Sequence, residues 1–231
     1  MRVSDLDLRD ISSRLIISVM NYEENADRLD SYPFVIKGDM AVVCQLCVGQ
    51  KNKEGLYTSC LTVTNELLNK WDLDKDTLFS LATKNGKDLM KPSIEQISKE
   101  KDDEFGLNFN YVLTNSYHFN GASSLFYDSG MIQRIGEKAV LLPVSSNEIY
   151  VIAPVPQDNE EQFINNVDGI YQEFRQKTNS GLSAHALIFD RREAGVLTDT
   201  EGNSFHPNLN EYMFDEKNDS SENVSMSAMT R

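Results

Sequence analysis

The sequence is poor in the residues that usually build metal and redox sites. Of its 231 residues, three are cysteine, three are histidine and one is tryptophan. Three cysteines are too few for a disulfide framework, and they fit a reducing compartment. We therefore expect buried structural cysteines, no metal site and no cofactor.

Cys44 and Cys47 form a Cys-x-x-Cys motif, which in other proteins binds zinc or exchanges thiols. Here the motif lies within "AVVCQLCVG", residues 41–49, a pattern typical of a β-strand. Positions three apart on a strand face opposite ways. The third cysteine, Cys60, falls in the next predicted strand and no pair of spaced histidines follows it. The pattern disfavours both a zinc site and a redox motif of the usual kind.

Long hydrophobic runs are also missing. The longest, such as Leu15–Val19 and Met40–Cys44, have the length of strands. A bilayer-spanning helix needs about 20 apolar residues. The first residues, "MRVSDLDLRDISS", lack the apolar segment of a secretory signal. These observations predict a cytoplasmic protein without membrane contact.

Basic charge is scarce as well. The chain carries 36 acidic and 22 basic residues, a net charge of −14. Because such a surface repels a phosphate backbone, direct binding to nucleic acid is disfavoured. The charge has two interpretations: it keeps the protein soluble, or it makes the protein a decoy that occupies the basic groove of a nucleic-acid-binding protein. The acidity is spread along the chain, which permits the decoy without requiring it.

The sequence contains no recognisable catalytic constellation. It has no Gly-x-Ser-x-Gly motif, no Walker loop and no dinucleotide-binding fingerprint. Its histidines, His118, His185 and His206, lack the spacing of metal ligands. His185 lies in the apolar stretch "SAHALIF", where a hydrogen-bonded core or edge histidine is the common outcome. No catalytic residue is assigned, and a non-enzymatic role is favoured.

The order of apolar patterns predicts an α+β domain with a mixed, mostly antiparallel sheet, helices packed on it and one β-α-β crossover. The predicted strands are Ser13–Met20, Met40–Val48, Leu56–Thr64, Asn108–Leu113, Val140–Pro143, Ile149–Val155 and Ala184–Asp190. Helices are predicted from Asp74 to Lys84, with a stop at Asn85-Gly86, in the second half of residues 114–139, with a kink or a break into two pieces at Gly130, and from Asp158 onwards. Residues 87–106 contain the charged run "SKEKDDEFG", residues 98–106, which is interpreted as a surface excursion.

The chain divides into one domain and a tail. Residues 1–198 are predicted to form a single α+β domain, of which residues 1–12 are flexible. Residues 199–231 are acidic and polar and include "DEKNDSSENVSMSAMTR". Such a composition buries too little apolar surface to fold, so we expect this tail to be disordered.

The predicted crossover gathers polar residues at one edge. Strands 108–113 and 140–143 run parallel if they are near neighbours in one sheet, and their carboxyl ends then share an edge. Ligands of open α/β sheets bind at such edges. The candidate binding edge consists of Thr114, Asn115, Asn120, Ser145, Ser146, Asn147 and Glu148. Since turns and helix caps prefer these same residue types, a purely structural hairpin is the favoured alternative.

Three motifs carry a family resemblance: "YVLTN" (Tyr111–Asn115), "NGASSLFY" (Asn120–Tyr127) and "LPVSSNE" (Leu142–Glu148). With them, the sequence resembles a family of bacterial proteins known as a domain of unknown function, found mainly in anaerobic Gram-positive gut bacteria and their mobile elements. The similarity covers about residues 14–198. It implies a fold and a cytosolic bacterial or phage setting, and it brings no known activity.

Two departures from the family pattern affect these expectations. Asn147 stands where the family often has a histidine before the glutamate, so a His-Glu acid–base pair is not available. Family members often carry a further region before the segment that matches Ser13–Met20. An edge strand is therefore expected to be missing or supplied by a partner.

The expected function is that of a non-catalytic protein-interaction module whose partner is another protein. An open sheet edge would also allow a homodimer. The alternative is a small-ligand-binding protein or enzyme that uses residues 114–116 and 145–148.

Overall fold

The computed structural model describes residues 8–53, 57–97, 107–127, 130–193 and 195–209. Within these ranges the strands are β1 (Leu15–Asn21), β2 (Phe34–Lys37), β3 (Met40–Lys51), β4 (Tyr57–Thr62), β5 (Pro92–Gln96), β6 (Tyr111–Asn115), β7 (Lys138–Ser145), β8 (Glu148–Ile152), β9 (Leu187–Asp190), β10 (Leu197–Asp199) and β11 (Ser204–Phe205). The α-helices are α1 (Leu8–Ile11), α2 (Ala26–Leu29), α3 (Asn65–Lys70), α4 (Lys75–Met90), α5 (Ser124–Tyr127) and α6 (Glu160–Thr178). Short 3₁₀ turns cover Glu23–Asn25, Gly121–Ser123, Ile132–Arg134 and Arg191–Glu193.

The predicted α+β class is confirmed. The strands form two sheets, and every pairing among the described strands is antiparallel. In the smaller sheet the long strand β3 is central: β1 pairs along one side, while β2 and β4 share the other. The larger sheet has the order β11-β10-β9-β7-β8-β6-β5.

The main core joins one face of each sheet. It contains Ile17 and Leu46 from the smaller sheet and Leu113, Leu141 and Phe189 from the larger one, with buried side chains of α4 and α5 packed among them. Successive side chains of a strand point to opposite faces of the sheet, so every second side chain of β7 points into this core and the others point away. Burying apolar surface from both sheets ties the two layers together.

The outer faces of both sheets are covered by helices. On the larger sheet, Val140 and Leu142 of β7 pack against Ile164, Val167 and Tyr171 of α6. On the smaller sheet, Ala41 and Val43 of β3 cluster with Leu29 of α2. The helices therefore bury the apolar side chains that alternation directs away from the main core.

Helix α4 continues past its predicted stop. Asn85-Gly86 lies inside the helix, which ends at Met90 and is followed by Lys91 in the left-handed region, with φ of 50°. The reason is the packing of Tyr127: a Cβ on Gly86 would lie 1.8 Å from its ring. Gly86 thus serves a close approach between two elements and does not terminate the helix.

Strand β5 lies between α4 and the charged run that is predicted to be a surface excursion, and β5 was not predicted from the sequence. Residues 87–90 end α4, and Pro92–Gln96 form β5, which pairs with β6. Only Ile94 of this strand packs against the main core, so the sequence shows no clear alternation of apolar and polar residues. Residues 98–106 lie outside the described residues.

The helix expected in the second half of residues 114–139, with a kink or a break at Gly130, is shorter than predicted. In the described residues it consists of α5, preceded by the turn Gly121–Ser123, and of the separate turn Ile132–Arg134 beyond Gly130. The domain boundary predicted at residue 198 falls inside a small ribbon, because Leu197 pairs with Phe205 and Leu209 is buried. The fold therefore includes residues up to 209, and residues 210–231 lie outside the described part of the chain.

Candidate functional site

Strands β6 and β7 run in the same direction with β8 between them. Because β8 is antiparallel to both, the carboxyl ends of β6 and β7 lie at one edge of the larger sheet. This is the edge at which the sequence places the candidate site. The connection between the two strands includes residues 128 and 129, which are not described, and it stays a predicted crossover.

The candidate residues meet one another at this edge. The Thr114 hydroxyl donates to the Asn147 carbonyl oxygen at 2.9 Å. The backbone N–H of Asn120 donates to Asn147 Oδ1 at 3.1 Å, and that of Ala122 donates to the Ser146 carbonyl oxygen at 3.1 Å. The β7–β8 hairpin tip is therefore bonded to the turn that precedes α5.

Asn120 links this edge to the smaller sheet. It is buried and takes the left-handed conformation, with φ of 51°. Its Nδ2 donates to Gln45 Oε1 at 2.8 Å, and its Oδ1 accepts from Ser18 Oγ at 3.1 Å. A buried amide with both ends bonded fixes the position of its segment, because breaking those bonds would leave polar atoms unsatisfied.

Three further candidate side chains, those of Asn115, Ser145 and Glu148, accept hydrogen bonds from nearby residues, and the bonds of Asn115 and Ser145 to backbone N–H groups are of the type that turns prefer. These bonds connect residues two positions apart: Asn115 Oδ1 accepts from the Tyr117 N–H at 2.9 Å, Ser145 Oγ accepts from the Asn147 N–H at 3.2 Å, and Glu148 Oε1 accepts from the Tyr150 hydroxyl at 3.2 Å. The structure thus brings all seven candidate residues to one edge, and each of them takes part in at least one hydrogen bond within the protein. Their role in binding stays a prediction.

The same region covers the outer side of β1. The Ile17 N–H donates to the Tyr127 hydroxyl oxygen at 2.8 Å, and that hydroxyl and the Ser123 hydroxyl both donate to the Ile17 carbonyl oxygen. Burial raises the pKa of Tyr127 well above its ordinary value, so its hydroxyl stays a donor. At Ile17, side chains therefore bond to the backbone on the side of β1 that faces away from β3.

A second polar cluster, which sequence reasoning missed, surrounds Asp168 on α6. Its Oδ1 accepts from the Ala186 N–H at 2.7 Å. Its Oδ2 accepts from Gln172 Nε2 at 2.6 Å and Thr200 Oγ1 at 2.9 Å, and it lies 3.2 Å from His185 Nδ1. The signal in the sequence is weak: an acidic residue that shares a helix face with the apolar Ile164, Val167 and Tyr171.

His185 is the titratable partner in this Asp168 cluster. Its Nε2 lies 3.3 Å from a carboxylate oxygen of the exposed Glu201. Desolvation by burial alone lowers the pKa of His185, but the hydrogen bond and charge of Asp168, with the charges of Glu201 and Asp199, outweigh it and raise the pKa above 6.5. The predicted hydrogen-bonded histidine is present, and its carboxylate partners favour the protonated form.

This raised pKa predicts a pH dependence of stability. The unfolded histidine titrates near pH 6.5 and the folded one higher, so the contribution is fully present below about pH 6.5 and is lost as pH rises through the folded pKa. We expect His185→Gln to cost about 1 kcal/mol at about pH 5.5 and less at about pH 8.5. Urea unfolding of both proteins measures this; a difference that does not change with pH would contradict it.

Strand β5 forms one end of the larger sheet. The Ile97 N–H donates to the Asn110 carbonyl oxygen, so odd-numbered residues of this segment bond to β6. Backbone groups alternate in direction along a strand, and those of Ile94 and Gln96 consequently point away from the sheet. Pro92 lacks an N–H, and its backbone also points away from the sheet. This is the kind of position at which edge strands tolerate proline.

The face of the sheet beside β5 combines acidic and aromatic side chains. Glu95, Val112 and Tyr150 lie side by side across three strands. The ring of Tyr150 stacks on Phe109 with centroids 4.9 Å apart, and its hydroxyl donates to Glu148. We call these five residues, with the outward backbone of β5, the β5 surface.

Other features of a site were sought across the part of the chain that the structure describes. There, no group of three or more histidine, cysteine, aspartate or glutamate residues is placed to hold a metal ion. Likewise, none of the helices in the described ranges has the length and apolar character needed to cross a membrane.

The fold and its sites define a two-sheet α+β domain in which the edge strand β5 carries one exposed acidic residue, Glu95. A family model described as "Family of unknown function (DUF5688)" matches residues 3–191. The chain belongs to this family. No curated protein and no solved structure matches the chain.

Proposed function

We propose that this protein is a non-catalytic interaction module that binds another protein by adding a strand to β5. The partner contributes an extended, basic segment of its chain. The observation that carries the proposal is the outward direction of the Ile94 and Gln96 backbone groups at the end of the larger sheet. Strand addition uses such groups for affinity and neighbouring side chains for specificity.

Charge distinguishes β5 from the other strands at the sheet ends. Among the described edge strands β1, β2, β4, β5 and β11, only β5 carries an acidic residue, Glu95, which is exposed. The sequence that follows it, residues 98–106, contains four acidic and two basic residues. With the net charge of −14, this supports a basic partner, because opposite charges that face each other across paired strands are favourable.

The decoy hypothesis is a special case of this proposal. A nucleic-acid-binding protein presents basic segments, and an acidic strand edge would occupy one of them. Binding of this kind depends on exposed charges, so it should weaken steeply as ionic strength increases. The bacterial or phage setting implied by the sequence resemblance supplies hosts in which such a partner can be sought.

A proline at position 96 tests the proposal. Gln96→Pro removes an outward N–H and leaves the N–H groups that bond to β6 in place, whereas Gln96→Ala keeps the outward N–H and removes only the side chain. We expect Gln96→Pro to weaken partner binding about tenfold and Gln96→Ala to change it little. The measurement is a parallel affinity capture from a lysate of an anaerobic Gram-positive gut bacterium, with captured proteins quantified by mass spectrometry.

The proteins captured by the two variants are compared to decide whether binding uses the backbone of β5. A captured protein that Gln96→Ala retains and Gln96→Pro loses supports strand addition. A partner retained equally by both would show that the interaction lies elsewhere. A dimer of this chain that dissociates only in Gln96→Pro, seen by light scattering, would replace the separate partner with a second copy.

A small-ligand site at the 114–148 edge is the second candidate function. The convergence of Thr114, Asn120 and Asn147, with the exposed Phe119 beside them, favours it. A thermal-shift screen of the natural protein, repeated with Glu148→Ala and Ser145→Ala, tests this candidate. A ligand whose shift disappears in these variants would support it, and a screen without any shift would remove its support.

A further inference from the structure

We propose that Cys47 and Cys60 form a redox modification site, in which a peroxide converts their thiols into a reversible cross-strand disulfide. The two residues are directly opposite each other in the β3–β4 pair, and their sulfur atoms lie 3.3 Å apart. Both are free thiols in the structure. The proposal is independent of the interaction at β5.

The backbone at this pair permits a disulfide without rearrangement. The Cys47 N–H donates to the Arg14 carbonyl oxygen at 2.9 Å, on the β1 side of the strand. Since N–H and C=O of one residue point the same way, Cys47 and Cys60 form a non-hydrogen-bonded pair, in which Cα atoms are about 4.5 Å apart. That separation lies within the range that disulfides span.

The two thiols differ in exposure and acidity. Cys60 is partly exposed, whereas Cys47 is buried. The hydrogen bond from Cys47 lowers the pKa of Cys60 against the opposing effect of desolvation, while the same hydrogen bond and burial raise the pKa of Cys47. A partly exposed thiol whose pKa is lowered, beside a second cysteine, is the arrangement found in peroxide-sensitive proteins. Cys60 is therefore the attacking residue and Cys47 the resolving one.

The reaction balances with hydrogen peroxide as the oxidant. The Cys60 thiolate attacks one peroxide oxygen, an S–O bond forms, the O–O bond breaks, and the departing hydroxide takes up the proton released by Cys60 to give water. Cys47 then attacks the Cys60 sulfur: an S–S bond forms, the S–O bond breaks, and hydroxide leaves with the Cys47 proton as a second water. Two thiols lose two electrons, and one peroxide becomes two waters. A dithiol reductant reverses the reaction.

The third cysteine provides an internal control. Cys44 is fully buried, and burial raises the pKa of its thiol well above the ordinary value. It is three positions from Cys47 on the same strand and therefore points to the opposite face. We expect it to stay reduced under conditions that oxidise the other two.

Peroxide treatment of the full chain, followed by alkylation and peptide mass mapping, tests the proposal. We expect a linked Cys47–Cys60 peptide pair, a loss of about 2 Da from the intact mass and full reversal by dithiothreitol. Cys44 should remain the only alkylated cysteine, and the melting temperature should rise by roughly 5 °C. The variant Cys44→Ser should keep the link, and Cys60→Ser should lose it.

Two results would overturn the proposal. One is a Cys60 sulfinic acid without a link to Cys47, which would show that the second thiol does not resolve the first. The other is a disulfide between two chains. Because mapping of the natural sequence alone separates these results from the expected one, the test does not depend on folding of the variants.

Discussion

Replacing Gly121 with alanine is expected to lower the free energy of unfolding by about 3 kcal/mol or more. A Cβ at this position would lie 2.0 Å from the Asn147 carbonyl oxygen, 2.3 Å from Thr114 Oγ1 and 2.9 Å from Thr114 Cα. Two of these atoms belong to the backbone, one at the β7–β8 hairpin tip and one in β6, and cannot move aside cheaply. The added methyl group must separate the hairpin tip from the turn and break the bond between Thr114 and Asn147.

Gly169→Ala is the matched control for this substitution. Gly169 lies in α6, is exposed, and a Cβ there would meet nothing within 4 Å. Alanine in a helix interior is favoured over glycine by about 1 kcal/mol, so this variant should be as stable as the natural protein or more so. Urea unfolding measures both variants. A Gly121→Ala protein within about 0.5 kcal/mol of the natural one would contradict the described packing of the candidate edge.

Asp168→Ala is expected to destabilise the protein by about 3 kcal/mol. The substitution removes the acceptor for the buried Ala186 N–H and for the side chains of Gln172 and Thr200, and it leaves protonated His185 without its closest carboxylate. Unsatisfied polar groups in a buried site cost more than the net value of the bonds that they lose. The cluster joins α6, the start of β9 and the turn after β10, so its loss affects three elements together.

Glu173→Ala on the same helix is the control for Asp168→Ala. Glu173 is exposed, and its Oε2 lies 3.5 Å from Nζ of the exposed Lys177. Such surface ion pairs contribute little to the free energy of unfolding. We expect it to change the free energy of unfolding by less than about 0.5 kcal/mol. Equal effects of the two substitutions would show that Asp168 is no more important to the fold than a surface carboxylate. The pH dependence assigned to His185 should also become smaller in Asp168→Ala.

Seven strands were predictable because each carries a local apolar pattern, whereas β2, β5, β10 and β11 were not predicted. Residues of β3 and β7 alternate between the main core and the outer face, and burial of both faces produces the apolar runs seen in the sequence. Strand β5 was not predictable in the same way. Its order comes from pairing with β6 and from one core contact at Ile94, and neither leaves a periodic pattern.

The role of the candidate edge depends on residues that are distant in sequence. The seven residues could be placed at one edge from the order of the strands, but their hydrogen-bond partners could not. Asn120 bonds to Gln45, 75 positions away, and to Ser18, 102 positions away. Similarly, the sequence alone predicts that Gly86 ends a helix, whereas in the structure the ring of Tyr127 packs against it. Local patterns predict elements, whereas these contacts arise only after the sheets assemble.

These contacts also bear on the function. The polar groups at the predicted edge bond to one another, and at Ile17 the outer side of β1 is covered by Tyr127 and Ser123. Strand β5 instead directs backbone groups outward beside the acidic Glu95. The open edge expected from the sequence is therefore proposed to be β5.

Amide hydrogen exchange of the complex tests the central proposal most directly. Once a partner has been captured, exchange rates are measured by NMR with and without it. Strand addition predicts that the amides of Ile94 and Gln96 become strongly protected, while those of Ser93 and Glu95, which already bond to β6, change little. Protection confined to residues 145–148, or unchanged exchange at Ile94 and Gln96, would contradict binding at β5.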